Sequence, residues 1–217
     1  MGELIDMESA RTLVSDRALW PRVRDFLWNF APQVHPSWLD RQVDLSSPRV
    51  KAWVLKQLGV EPCFHAFPKD DWSRLVLLDG ATLESIAKWM GALACADSLR
   101  RVTGGKVVRE LKAALPGIYP EVFGYTAYFK GLKIEDLRLK IEGGRIGEIG
   151  AFGGRVLLSL LDSLPASLVT RLKLKLPKEC SDMTSYEENP QSSIFNLQSL
   201  TRLLKLKFPE AYSLCCS

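Results

Sequence analysis

Between Leu83 and Leu99 the chain carries apolar residues almost all the way round a helix, and this feature constrains everything else in it. At about 100° per residue, Leu83, Ile86, Ala87, Trp89, Met90, Leu93 and Ala94 fall within one broad arc, and Cys95, Ala96 and Leu99 widen it. A helix with so little polar surface is stable in water only when neighbours cover it on most sides. Asp79 or Thr82 is placed to cap its start, and Thr103-Gly104-Gly105 ends it near Val102. The rest of the chain must therefore supply elements that pack around a central helix.

Several segments have the pattern to do so. Leu19, Val23, Phe26, Leu27 and Phe30 recur at helical spacing, with Pro21 suited to a first turn. Ser47-Pro48 opens a helix over 50–58 that Gly59 stops, and Asp70 or Asp71 caps a short helix over 72–78. Residues 106–115 are two-faced: Val107, Val108, Leu111, Ala114 and Leu115 gather on one side and Lys106, Arg109 and Lys112 on the other. The aromatic run IYPEVFGYTAYF reads as helical and largely buried. Residues 130–149 suit a helix or a β-hairpin across Gly143-Gly144 equally. AFGGRVLLSLLDSL, PASLVTRLKLKL and the basic stretch 194–208 are further helices.

With 217 residues, 47% of them hydrophobic, the chain is long enough for one real core. The expected fold is mainly α, a single compact multi-helix domain over 15–208, with or without a small hairpin near 130–149. Residues 1–14 are expected as a flexible N-terminus, 178–193 as a mobile loop and 209–217 as a C-terminal tail.

Composition narrows the function classes. No stretch approaches the roughly 20 consecutive apolar residues that span a bilayer, and the N-terminus is acidic and polar, so a cytoplasmic protein without membrane insertion is expected. Five cysteines (Cys63, Cys95, Cys180, Cys215, Cys216) without CxxC spacing read as reduced thiols, and with only His35 and His65 as histidines no metal site is assigned. A net charge of +4 suits an acidic protein partner and falls short of a nucleic-acid footprint.

Chemical motifs fail on spacing. Thr103-Gly104-Gly105-Lys106 lacks both the leading glycine and the trailing Ser/Thr of a phosphate loop. Gly144, Gly147, Gly150 and Gly153 recur every third residue, which is not the GxGxxG of a dinucleotide site, and they read as packing or turn glycines. No nucleophile elbow exists, His35 and His65 read as loop histidines, and Asp70-Asp71 and Glu187-Glu188 lie in polar loops. The chain is read as a non-enzyme with no catalytic residue and no cofactor. Asp97 and Arg101 form a candidate structural ion pair at i,i+4 on the central helix, and Arg100, Arg101, Lys106, Arg109 and Lys112 are candidate partner-binding residues. The basic faces, Lys106, Arg109, Lys112, then Arg171, Lys173, Lys175, then Arg202, Lys205, Lys207, read as solvated surfaces, with an electrostatic docking patch as the alternative.

Three stretches together resemble the SctK family (YscK and PscK, with OrgA and MxiK as distant relatives), accessory proteins of the type III secretion apparatus. FAPQVHPSWLD resembles the family's Phe-x-Pro and His-Pro-Ser-Trp-Leu segment, here His35, Pro36, Ser37, Trp38 and Leu39. Gly91, Asp97 and Leu99-Arg100-Arg101 are similar to the family's glycine, acidic residue and Arg-Arg at the same spacing. RLKLKLPKE, followed by a polar loop and a basic helix, is similar to its C-terminal layout. The resemblance implies a non-catalytic adaptor of the cytosolic sorting platform. Such a protein connects the cytoplasmic domain of the inner-membrane ring protein (SctD) to the pod protein (SctQ), and through it to the stalk protein and export ATPase. It would lie at the cytoplasmic face of the inner membrane when assembled. A helical transcriptional regulator or a small-ligand-binding helical domain is the competing expectation.

Overall fold

The computed structural model describes residues 7–14, 16–39, 43–61, 64–126, 146–181 and 196–216. All regular structure among them is helical: the fold is mainly α, in a compact arrangement. In chain order the α-helices are α1 (Met7–Leu13), α2 (Trp20–Trp28), α3 (Pro48–Gln57), α4 (Gly80–Ala94), α5 (Ala96–Arg100), α6 (Gly105–Ala114), α7 (Ile118–Tyr125), α8 (Glu148–Leu160), α9 (Ala166–Lys175), α10 (Leu197–Lys207) and α11 (Pro209–Cys216). Short 3-10 turns at Arg17–Leu19, Ala31–Gln33, Pro36–Trp38, Trp72–Leu77 and Lys178–Cys180 join them. Residues 130–145 of the helix-or-hairpin alternative and 182–193 of the expected loop lie outside the described residues.

The local starts follow their residue types. Asp79 caps α4, its carboxylate accepting the Thr82 N–H and hydroxyl, both at 2.8 Å. Asp71 does the same for the turn at Trp72–Leu77 through the Ser73 N–H at 2.6 Å. Pro21 and Pro48 occupy first-turn positions of α2 and α3, where a missing N–H breaks no bond. Gly59 and Gly117 take left-handed φ of 65° and 74°, ending α3 and preceding α7.

α4 is the centre of the molecule. Leu83, Ile86, Met90 and Ala92 are fully buried and the nine residues from Ile86 to Ala94 include only Lys88 with substantial exposure. α8 runs against it at backbone distance: a Cβ on Gly91 would overlap the Ile149 carbonyl, and one on Gly153 would overlap the Ala87 carbonyl. The packing role expected of the spaced glycines holds at Gly153, and at Gly150, where an added Cβ would lie 3.3 Å from the Lys88 side chain. Gly147 faces open space, and Gly144 lies outside the described residues.

Three expectations need correction. The central helix does not run unbroken to Val102: at Cys95 ψ reaches 5°, and a separate five-residue turn of helix, α5, follows. Residues 209–217, expected as a tail, carry α11 over Pro209–Cys216. Ala211 and Cys215 of α11 are 2% and 1% exposed, and the helix packs against α10 and the Trp72–Leu77 turn. At the other end, 7–13 of the stretch expected as flexible form α1, and Ala10 and Val14 are buried.

Candidate functional site

The His35–Leu39 loop is held by its own side chains. Pro36 sets the φ of a 3-10 turn, and His35 Nδ1 accepts the Ser37 N–H at 3.2 Å and lies 2.8 Å from the Ser37 hydroxyl. A nitrogen that receives donors in this way is the unprotonated one of the ring. The ring serves the turn through this nitrogen.

The loop then docks on the far end of the chain. The His35 N–H donates to the Leu174 carbonyl at 2.7 Å, and the Trp38 indole N–H donates to the Leu176 carbonyl at 2.9 Å. The Ser37 hydroxyl accepts the Lys178 N–H at 2.8 Å. The carbonyls at a helix C-terminus have no partner within the helix, so the loop acts as an external cap on α9. Two stretches that looked separate in the sequence, HPSWL and LKLPK, are one contact.

The inner face of α9 is the largest departure from the sequence reading. Arg171 and Lys175 are 3% and 1% exposed, not part of a solvated basic face; Lys173, between them, is exposed. Arg171 lies over the rings of Phe26 and Phe30, 4.6 and 4.9 Å from their centroids, and donates to the Phe26 carbonyl and, at 3.1 Å, to that of Glu61. Lys175 Nζ donates to the carbonyls of Val76 and Leu78, at 2.6 and 2.8 Å. Burial pushes the Lys175 ammonium down to about 7; Asp79 opposes this, and Arg171 and Arg22 add to it. Arg74, 2% exposed, completes a set of inward cations. It donates to the carbonyls of Phe67 at 3.3 Å and Leu214 at 3.2 Å, and pairs with Asp16 at 3.6 Å. These cations hold main-chain carbonyls in the last turns of α2 and α11 and in the segment between α3 and α4.

Outward cations gather on α5 and α6. Arg100 is partly committed: it pairs with Asp97 at 3.6 Å and donates to the Phe123 carbonyl and Thr126 hydroxyl at the end of α7. The ion pair of Asp97 is therefore with Arg100 at i,i+3, and not the expected one with Arg101 at i,i+4. α5 ends at Arg100, and the Arg101 N–H bonds to the Ser98 carbonyl, three residues back, at 3.2 Å instead of to that of Asp97. Both side chains of the observed pair are exposed, Arg100 at 48% and Asp97 at 78%. Arg101, Lys106, Arg109 and Lys112 are all exposed. Beneath them Leu111 is fully buried, and Val107 and Val108 are half-buried. Among the described residues none of these four cations takes part in an ion pair.

Other features escaped the sequence reading. Lys207 lies over the rings of Trp89 and Tyr125, at 4.7 and 4.3 Å, and is paired with Glu121, so it too is withdrawn from the basic face assigned to it. Arg202 and Lys205 remain exposed. Trp53 on α3 and Trp28 on α2 are 57% and 42% exposed. The signals were present as pairs: Phe26/Phe30 and Arg171/Lys175 are each i,i+4, but only the fold shows that these pairs face each other.

Among the described residues no three His, Cys, Asp or Glu side chains converge to hold a metal ion. Burial pushes the thiols of Cys95, Cys180 and Cys215 up to about 12, which leaves them un-ionised and unreactive. No helix among the described residues is long and apolar enough to cross a membrane.

A family model described as YOP proteins translocation protein K (YscK) matches residues 24–117, from α2 through α6 to the turn before α7. No curated protein and no solved structure matches the chain.

Proposed function

From a chain that belongs over residues 24–117 to the YscK family, and so to type III secretion, we propose a non-catalytic adaptor of the cytosolic sorting platform. It joins the cytoplasmic domain of the inner-membrane ring protein (SctD) to the pod protein (SctQ), and through the pod protein meets the stalk protein and the export ATPase. It works at the cytoplasmic face of the inner membrane. The observation that carries the docking role is the unpaired cationic face of α6. Lys106, Arg109 and Lys112 stand in solvent, while Arg74, Arg171, Lys175 and Lys207 are all consumed inside the fold. Cations retained at the surface without a partner of their own suit reversible association with an acidic protein, where charge sets orientation and on-rate.

The experiment is calorimetric titration of the full chain with the ring protein's cytoplasmic domain and with the pod protein, at low and at physiological salt. Saturable binding that weakens with salt and with Arg109→Glu supports the reading and places one contact on α6. Binding indifferent to Arg109→Glu keeps the adaptor and moves that contact elsewhere. If neither protein binds, the adaptor reading fails, and a test for salt-sensitive DNA affinity becomes the next step.

A further inference from the structure

An adaptor needs a second docking face, and the outer side of α3 has the composition of one. Arg49, Ala52, Trp53 and Lys56 recur at i, i+3, i+4 and i+7 and are all exposed, whereas Val54 on the opposite side is 2% exposed. Pro48–Gln57 contains three cations and no acidic residue. Trp53 is the most exposed large apolar side chain among the described residues, at 57%, and it makes no ring contact with any of them. The Lys51 ammonium donates to the Asn29 side chain at 3.2 Å, tying α3 to the end of α2, where Trp28 stands 42% exposed. The chain's two exposed tryptophans thus sit on the two elements that this bond joins. α3 is anchored on the Ala31–Gln33 turn and α6 on α7, so the two cationic faces belong to different parts of the fold.

We propose that the Arg49–Trp53–Lys56 face of α3 is a docking surface for an acidic protein, with the Trp53 indole as the anchor that enters an apolar pocket ringed by carboxylates. The proposal rests on the adaptor reading and names its second contact. Tryptophan with flanking arginine is the composition of interface hot spots, where one large ring carries much of the binding energy and the surrounding charges set register. A second copy of this chain fits poorly, because a two-fold contact would bring Arg49, Lys51 and Lys56 of both copies together. A lipid surface fits poorly as well: an interfacial helix buries a whole apolar face, and here a single indole stands among cations and an alanine.

The test uses the full chain, its Trp53→Ala variant, its Arg49→Glu/Lys56→Glu variant and its Arg109→Glu variant, each titrated against the ring protein's cytoplasmic domain and the pod protein. Because the substituted α3 side chains are exposed, all variants should keep the wild-type melting profile, which is measured alongside. The expected result is a loss of about tenfold or more in affinity for one of the two proteins in both α3 variants, while the affinity for the other protein, the one Arg109→Glu weakens, is retained. Wild-type binding that both α3 variants retain overturns this proposal and leaves the adaptor standing. So does sedimentation showing a self-associated wild type that Trp53→Ala renders monomeric. Trp53-dependent binding to phosphatidylcholine vesicles containing phosphatidylglycerol, with protein binding unaltered, overturns it too. A wild type that binds neither protein overturns both readings.

Discussion

The Trp38 indole donates its N–H to the main-chain carbonyl of Leu176, 2.9 Å away in space and 138 positions away along the chain. This bond joins the loop after α2 to the end of α9, and it supplies a donor to a carbonyl that the helix itself leaves open. Trp38→Phe removes the donor together with part of the ring packed against the core. It should lower stability by about 1–2 kcal/mol, read as a lower denaturation midpoint with an unchanged slope. Equal midpoints for the two proteins would mean that the bond contributes nothing net.

Lys175 should make stability depend on pH on the alkaline side. Its folded pKa, about 7, lies below the ordinary 10.5 because burial disfavours the charge. Between those values the unfolded chain holds a proton that the folded chain has released, so raising the pH favours folding; below about 7 both forms are charged and the effect is flat. The stability of the wild type relative to Lys175→Met should rise between pH 7 and 10 by up to about 1.4 kcal/mol per unit. Denaturant melts of the two proteins across that range measure it, and parallel curves would contradict the burial argument.

Gly91→Ala should be severe. The new methyl would overlap the Ile149 backbone carbonyl, and backbone atoms on α8 cannot rotate aside as a side chain could. Forcing α4 and α8 apart costs about 3 kcal/mol or more, enough to be seen as poor soluble yield or a collapsed thermal transition. By contrast Gly147→Ala, where no atom lies within reach of the added methyl, should melt like the wild type.

Lys207 holds α10 to α4 and α7. Burial works against its charge, but the bonds with Glu121 and Tyr125 outweigh this and keep the ammonium above its usual value. Lys207→Met retains the stem and removes both the ion pair and the contact with the Trp89 and Tyr125 faces, worth about 1 kcal/mol together. Hydrogen exchange should quicken in α10 and α11 and remain unchanged in α3. Uniform quickening through the molecule would instead mean that the contact stabilises the whole fold and not one part of it.

The sequence by itself determined that the chain is helical and that α4 lies at its centre. Periodicity is a local property, and a helix apolar on nearly every side at Ile86, Trp89, Met90 and Leu93 has only one stable environment. It also determined the helix starts at Asp79, Pro21 and Pro48 and the stop at Gly59, because caps and glycine φ act within a few residues. Only the tertiary structure decided which charges are surface. Arg109 and Arg171 have the same local chemistry, yet one stands in water and the other lies over Phe26 and Phe30. The difference depends on which distant carbonyls and rings the fold brings within reach. The break at Cys95 belongs to the same class, since Ala94-Cys95-Ala96 contains no residue that stops a helix. So does α11, whose burial comes from α10 and the Trp72–Leu77 turn. Local pattern reports what a segment prefers to be; the partner across the core, tens to hundreds of positions away, determines what its charged side chains do.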